Sequence, residues 1–235
     1  MVAIIDADSL IFASAYNQES LEEAIDLFNS KLEFILEDLE QYCVVTNVII
    51  CSGGSNASRL ALNKSYKANR TKDKPQFLSA LHKEVKDSYN SLYAEGHETD
   101  DVVASMWQNE VDKNGEDSVI IVGIDKDYKQ FPCWFFDTYW KRRKLDKIEY
   151  FEAKTNFYTQ MIVGDTADNV NYFKGKGKAY AKKLFSGVFT EYGLFRRVYR
   201  LFLDEYVDDA KDKFLECYNI LKLKTNIYAE IRNRE

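Results

Sequence analysis

Val119-Ile120-Ile121-Val122-Gly123-Ile124-Asp125-Lys126-Asp127 is the most apolar strand-like run in this chain, and it ends in two acids one residue apart. It reads as a buried strand running out into a polar turn. The stretch Val2–Ile5 leads into Asp6 and Asp8 in the same way. In an open α/β sheet the carboxyl ends of parallel strands form the ligand crevice, so acids at two strand ends can meet although far apart in sequence. Two further acidic groups belong to the same pattern: Glu98, Asp100 and Asp101 at a helix start, and Asp165 with Asp168 after Gly164. Carboxylates crowded into one crevice repel one another and rise in pKa unless a cation neutralises them. An oxygen-only ligand set suits Mg²⁺ or Mn²⁺.

Outward from that strand, Leu21–Tyr42 carries helical spacing, Val44–Cys51 reads as a second strand, and Ser52-Gly53-Gly54-Ser55-Asn56 as a turn. From Ser58 to about Tyr93 the sequence is helical but basic, less a core layer than an excursion from one. Thr99 is placed to cap a helix over Asp100–Lys113, which Asn114-Gly115 ends. Trp134–Phe136 and Lys147–Phe151 read as further short strands. After Ala153 only helical spacing remains, in Phe157–Val163, Ala179–Phe185, Tyr192–Tyr206 and Ala210–Leu223. Alternating strands and helices predict an α/β fold with a mainly parallel sheet flanked by helices over residues 1–153. The remainder, 154–235, predicts a helical domain.

The 235 residues carry a formal net charge of −6, which taken alone argues against a nucleic-acid partner. The bases are nevertheless gathered in two segments, Arg59, Lys64, Lys67, Arg70, Lys72 and Lys74, and then Lys174, Lys176, Lys178, Lys182 and Lys183. Local patches of this kind, more than the total, decide whether a phosphate backbone can bind. Lys174-Gly175-Lys176-Gly177-Lys178 stands just before a helix, where exposed backbone N–H groups and ammonium groups together suit a phosphate. Lys141, Arg142, Arg143 and Lys144 form a shorter run, equally a solvated turn or a further phosphate contact. Cys43, Cys51, Cys133 and Cys217 lack disulfide or zinc spacing and read as small hydrophobes. His82 and His97 read as boundary residues without a partner. Trp107, Trp134 and Trp140 read as packing aromatics. No stretch approaches the ~20 apolar residues of a membrane span, and Met1–Asp8 lacks the features of a signal peptide, so a cytoplasmic protein is expected.

Each motif alone has an ordinary explanation: acids cap helices and complement helix dipoles, and Gly-Lys runs form mobile loops. Their joint order is more specific. Ile4-Ile5-Asp6, Tyr66-Lys67-Ala68-Asn69-Arg70, Glu98-Thr99-Asp100-Asp101, Asp125-Lys126-Asp127-Tyr128-Lys129-Gln130 and Gly164-Asp165-Thr166-Ala167-Asp168-Asn169 together resemble the 5′ nuclease family. That family comprises flap endonucleases, phage 5′→3′ exonucleases and the 5′ nuclease domain of bacterial DNA polymerase I. The match runs from Val2 to about Leu184.

The resemblance implies a PIN-like core with a helical arch at about 58–97 and a C-terminal helical DNA-binding domain containing a helix-three-turn-helix. It implies that Asp6, Glu98, Asp100 and Asp101 serve a first metal site, with Asp101 near the boundary to the second. Asp125, Asp127, Asp165 and Asp168 would serve that second site. Lys67 and Arg70 would stand at the foot of the arch and act with Asp6 in catalysis, and Tyr66 would stack on a base. Lys174, Gly175, Lys176, Gly177 and Lys178 would hold duplex DNA, with K⁺ as an optional further ion. The implied activity is two-metal hydrolysis of phosphodiester bonds in DNA or RNA/DNA hybrids bearing 5′ flaps, nicks or ends, by a monomer that a virus could encode.

The pattern departs from the family at Ser52, where an aspartate is usual, and Asp8 is a candidate replacement ligand. Asn171-Tyr172-Phe173 also replaces a proline-containing turn. Two rival readings stand beside this one: a DNA-binding protein that does not cut, and a haloacid-dehalogenase-like phosphatase with Asp6 as nucleophile.

Overall fold

The computed structural model describes residues 1–70 and 73–233; Lys72, one of the basic residues named above, lies outside them. The strands β1 (Val2–Asp6), β2 (Asn47–Cys51), β3 (Val119–Gly123), β4 (Trp134–Asp137) and β5 (Lys144–Lys147) form one sheet in the order β2-β1-β3-β4-β5. All neighbours are parallel except β4 and β5, which form an antiparallel hairpin. Every residue of β3 is buried, the mark of a central strand covered on both faces.

Because side chains alternate across a pleated strand, neighbouring residues of β1, β3 and β4 feed two different cores. Ile4, Ile121 and Phe135 pack with Val102, Val103 and Met106 of helix α5 (Thr99–Asn114). Ala3, Ile5, Val122 and Phe136 face the opposite layer, built from α1 (Asp8–Ala15), α2 (Leu21–Glu40) and α4 (Leu78–Ser88). Helix α2 opens with Ser20, whose hydroxyl accepts the Glu23 N–H at 3.1 Å, while the Glu23 carboxylate reaches back to the Glu19 N–H.

The structure corrects the expected pattern in several places. Helix α4 does not leave the core: Leu81 and Val85 are buried in the α1–α2 layer, because its few apolar residues recur on one face. The short α3 (Ala57–Leu62) instead packs against the helix at Ala210–Leu221. Glu98, not Thr99, precedes the first turn of α5, since the Thr99 hydroxyl donates to Asp8 at 2.6 Å instead of capping. The last strand is Lys144–Lys147, fixed by its hairpin pairing with β4, and Tyr150 already begins a helix. Helix α1 was not anticipated.

The helices α6 (Tyr150–Val163), α7 (Lys178–Leu184), α8 (Glu191–Tyr206) and α9 (Ala210–Leu221) share a separate aromatic-rich core around Phe173, Phe202 and Phe214. The Phe173 and Phe202 rings meet edge to face at 4.7 Å. The tail beyond α9 returns to the sheet layer, where Leu223 and Ile227 join the α5 core. Among the described residues no helix is long and apolar enough to cross a membrane.

Candidate active site

Strand β1 has β2 on one side and β3 on the other, so the chain's connections diverge there. The crevice at the carboxyl ends of β1 and β3 is the topological switch point at which open α/β sheets bind ligands. Asp6 closes β1 and Gly123 closes β3. A Cβ on Gly123 would lie 3.3 Å from the Asp6 Cβ and 3.3 Å from Tyr128 Cε2, so the glycine permits this close approach. Tyr128, wholly buried, donates its hydroxyl to Asp6 Oδ2 at 2.8 Å. Burial first, and then the neighbouring Asp8 carboxylate, push the Asp6 carboxyl up to about 7.

The acids of the other segments share this field. Asp125 accepts the Asp127 N–H at 2.9 Å, which turns the chain sharply after β3 and sets both carboxylates beside the crevice. Burial and Asp125 raise Asp127 to about 7, against a 2.9 Å bond from Gln160 Nε2. Burial raises Asp125, with Asp168 and Asp165 adding to it. Burial holds Asp100 well above the usual carboxylate range in spite of Arg59, and Asp101, Glu98 and Asp125 push in the same direction as burial. Asp6, Asp100 and Asp125 all act on the Tyr128 hydroxyl. Acids from β1, α5, the β3 turn and the loop after α6 therefore form one electrostatic unit.

Basic side chains penetrate this unit from one side. Arg59 on α3, only 2% exposed, holds Asp101 through two bonds of 2.9 Å and Glu98 through one of 2.8 Å. Burial would raise Glu98, yet Arg59 and Lys67 hold it below the ordinary value. The turn Ser65–Arg70 is fastened to the loop after α6. Lys67, at φ +57°, donates its N–H to the Asp168 carbonyl at 2.9 Å, Asn69 bonds to the Thr166 carbonyl, and Asn169 bonds to the Ser65 carbonyl. Lys67 Nζ pairs with Glu98, Arg70 with Asp168 at 2.6 Å, and Lys126 with Asp165 at 3.0 Å. The Tyr66 hydroxyl lies 2.8 Å from both Glu98 and Asp168, so a single hydrogen sits between two carboxylates.

Asp6, Asp100, Asp125, Asp127, Asp165 and Asp168 are thus brought to one place, with Glu98 at its basic edge. Asp8 stands at the mouth, its two oxygens held by the Gly53 N–H at 2.6 Å and by Thr99. Asp101 is turned away, fully buried on Arg59 and the Lys224 N–H. Ser52 is also buried, and its hydroxyl is 2.6 Å from that of Ser91. Tyr66 is 4% exposed with its ring in the helical-layer core, so its face is closed to a base, contrary to the stacking role expected of it. Arg59 likewise serves a buried ion pair and no surface patch. His97, expected to lack partners, meets Glu230 at 3.1 Å and Asp101 at 3.8 Å, and His82 lies 3.9 Å from Asp8. Lys174, Gly175 and Gly177 are exposed before α7 and Lys178 is exposed at its first position, while Lys176 is half-buried and pairs with Glu205. The sequence reading missed Tyr128, Gln160 and Lys126. Tyr128 and Lys126 flank acids already singled out, whereas Gln160 carries no local signal.

Among the described residues no three acid or imidazole groups stand ready-made around an ion; the bases hold the carboxylates toward themselves. The donor chemistry nevertheless fits a divalent cation, because Asp6, Asp100, Asp125 and Asp127 are all raised by charge and burial that a hard cation would relieve. The phosphatase reading loses support here, since Asp165 follows helix α6 and not a strand.

Comparison with solved structures gives the same fold. A bacteriophage T5 5′-exonuclease with divalent metal ions (zinc) bound is 17% identical with a TM-score of 0.60, over 94% of this chain and 98% of that one. A bacteriophage T5 flap endonuclease in a complex with DNA and metal ions is 16% identical with a TM-score of 0.60 over the same shares. The catalytic core of Rad2 with DNA substrate is 14% identical with a TM-score of 0.50, over 92% of this chain and 70% of that one. No curated protein sequence gives a significant match. Residues 1–154 match the family described as 5′-3′ exonuclease, N-terminal resolvase-like domain. The switch-point acids and this match over most of the sequence together identify the chain as a member of the 5′-3′ exonuclease family.

Proposed function

We propose that this protein is a structure-specific 5′ nuclease, acting as a 5′→3′ exonuclease and flap endonuclease on DNA or RNA/DNA, with two Mg²⁺ ions that Mn²⁺ can replace. The observation that carries this reading is the convergence of Asp6, Asp100, Asp125, Asp127, Asp165 and Asp168 at the β1/β3 switch point. Asp6, Asp100 and Asp125, with Asp8 and Glu98 at the margin, would hold one ion, and Asp125, Asp127, Asp165 and Asp168 the other. Bound there, the ions would activate a water and neutralise charge at the scissile phosphate.

The chain's own residues supply the rest. Lys67 and Arg70 leave Glu98 and Asp168 to meet the phosphate, offsetting charge that builds as the bond breaks. Their turn is docked on the Asp165–Asn169 loop, so the backbones that carry these bases and acids are held together while the side chains exchange partners. Tyr128 fixes the Asp6 carboxylate in direction, and Gln160 does the same for Asp127. Lys174, Lys176 and Lys178 would bind the duplex through phosphates, setting register without reading sequence. K⁺ at that loop, a division into domains at about residue 153, a monomeric state and a cytoplasmic, virus-encoded setting belong to the same reading.

The test is cleavage of a 5′-labelled flap and a nicked duplex with Mg²⁺, with Mn²⁺ and with EDTA. Cutting that EDTA abolishes and Asp125→Asn removes is the expected result. Binding without cutting under every metal condition would leave only the non-enzymatic reading.

A further inference from the structure

Beside Asp6, against the α1–α2 layer, lies a groove of about 420 Å³, within the ~300–1,000 Å³ typical of small-ligand sites. Its walls are α1, α2 and the turn joining β4 to β5, and Asp6 lies at its edge. The turn is the unusual part. Trp140 is 73% exposed, although a tryptophan in a folded chain ordinarily buries most of its ring. It is not presented by a loose loop. Asp137, 3% exposed, holds Arg142 at 2.7 Å, Arg142 reaches the Ile124 carbonyl at 3.1 Å, and the Thr138 N–H bonds to the Gly123 carbonyl at 3.0 Å. The turn is therefore tied to the strand end that leads into Asp125.

The groove is mostly apolar, with two cations in its lining, Lys31 and Arg143, the second paired with Asp38 at 3.3 Å. Lys31 lines it, and its ammonium donates to the Ala13 carbonyl at 2.8 Å. No carboxylate among the described residues lies within ion-pair distance of Lys31. Lys141 stands 4.8 Å from the centroid of the Trp140 ring, and the Arg142 guanidinium 4.7 Å from that of Tyr139. An exposed aromatic ring with Lys141 beside it, and Lys31 in the same groove free of any carboxylate among the described residues, is the arrangement that takes single-stranded nucleic acid, bases on the ring and phosphates on the charges. An apolar peptide would leave Lys31 buried without a counter-charge.

We infer that this groove binds the single-stranded segment adjoining the cleaved bond, with a base on Trp140 and a backbone phosphate at Lys31. This rests on the nuclease reading and extends it. The duplex would lie toward α6 and α7, and the unpaired strand would leave across Asp6 on the opposite face.

Binding of a 5′-flap substrate, of a blunt duplex, of oligo-dT and of oligo-U, each measured by fluorescence anisotropy in EDTA, tests it. Trp140→Ala is expected to weaken flap and oligonucleotide binding by roughly 5- to 140-fold, the range for loss of one stacked base. Blunt duplex binding should not change, and Trp140→Phe should retain most of the affinity. Lys31→Met should weaken the same ligands and flatten their salt dependence. Equal loss with oligo-dT and oligo-U supports the site without sugar preference, and loss with one alone assigns it to that sugar. Trp140→Ala that binds flap as the wild type does would overturn the inference while wild-type cleavage keeps the nuclease reading intact. A wild-type protein that neither cuts nor binds would overturn both.

Discussion

Replacing Arg59 with leucine should cost this fold more than any other single change at the site. The guanidinium is 2% exposed and holds Asp101, itself wholly buried, through two bonds, Glu98 through a third and the Ile220 carbonyl through a fourth at 3.0 Å. Taking away one partner of a buried ion pair leaves the other charged and dry, at about 3–5 kcal/mol. In a chain of this size each kcal/mol moves the melting temperature by about 2–4 °C, so the expected fall is about 6–20 °C. Arg59→Lys keeps the charge but loses the planar fork, and should fall between the variant and the wild type. Differential scanning calorimetry and urea titration of the three proteins without divalent ions give the measurement. A loss below about 1 kcal/mol for Arg59→Leu would show that Asp101 finds another counter-charge, and the reading of Arg59 as the clamp between α3, α5 and α9 would be refuted.

Lys67→Ala should lower the single-turnover cleavage rate by roughly 10²–10³-fold while changing flap affinity much less, since its charge is aimed at the reacting phosphate; an intact rate with weakened binding would assign Lys67 to binding alone. Asp125→Asn should abolish cleavage yet stabilise the ion-free fold at pH 8, because it removes a charge that pushes up Asp6, Asp100 and Asp127; a destabilised Asn variant by calorimetry would argue against crowding. In the pH dependence, Asp6 and Asp127 stay protonated in the fold up to about pH 7 but lose the proton near the ordinary 3.8 when unfolded. The folded state then binds more protons across that window, so this contribution to stability is full below about pH 4 and lost as pH rises through 7. Glu98, held below 4.5, works oppositely and only at lower pH. Divalent ions compete with those protons, so the Mg²⁺-induced rise in melting temperature should be larger at pH 8 than at pH 6, and equal shifts would speak against ion binding by these acids.

The strands and the long helices were legible because each carries its own period. β3 is apolar throughout, and α2 and α8 repeat at helical spacing, signals that need no partner to be read. The acids at strand ends were legible for the same reason, since a carboxylate after a buried strand has few places to go in a parallel sheet. Segments whose conformation depends on what they touch were read less well. Helix α4 reads as an excursion because its polar surface hides how few apolar residues it needs to dock, and the position of β5 is not legible because only its pairing with β4 sets its register.

Sequence by itself determined the order of elements and the chemical class of the crevice, since both follow from local residue types and their spacing. The tertiary structure alone decided which acids face the crevice and which are occupied by bases. Asp100 and Asp101 are neighbours in the chain and both within reach of Arg59, yet Asp101 takes its two 2.9 Å bonds while Asp100 stands off at 3.6 Å and shares the field of Asp125, because successive helical residues lie about 100° apart around the axis. Tyr66 and Trp140 show the same division. Nothing in their local sequence separates a buried ring whose hydroxyl bridges two carboxylates from an exposed one beside Lys141. That difference arises only when the Ser65–Arg70 turn closes on the loop after α6 and the β4–β5 turn is tied to the end of β3.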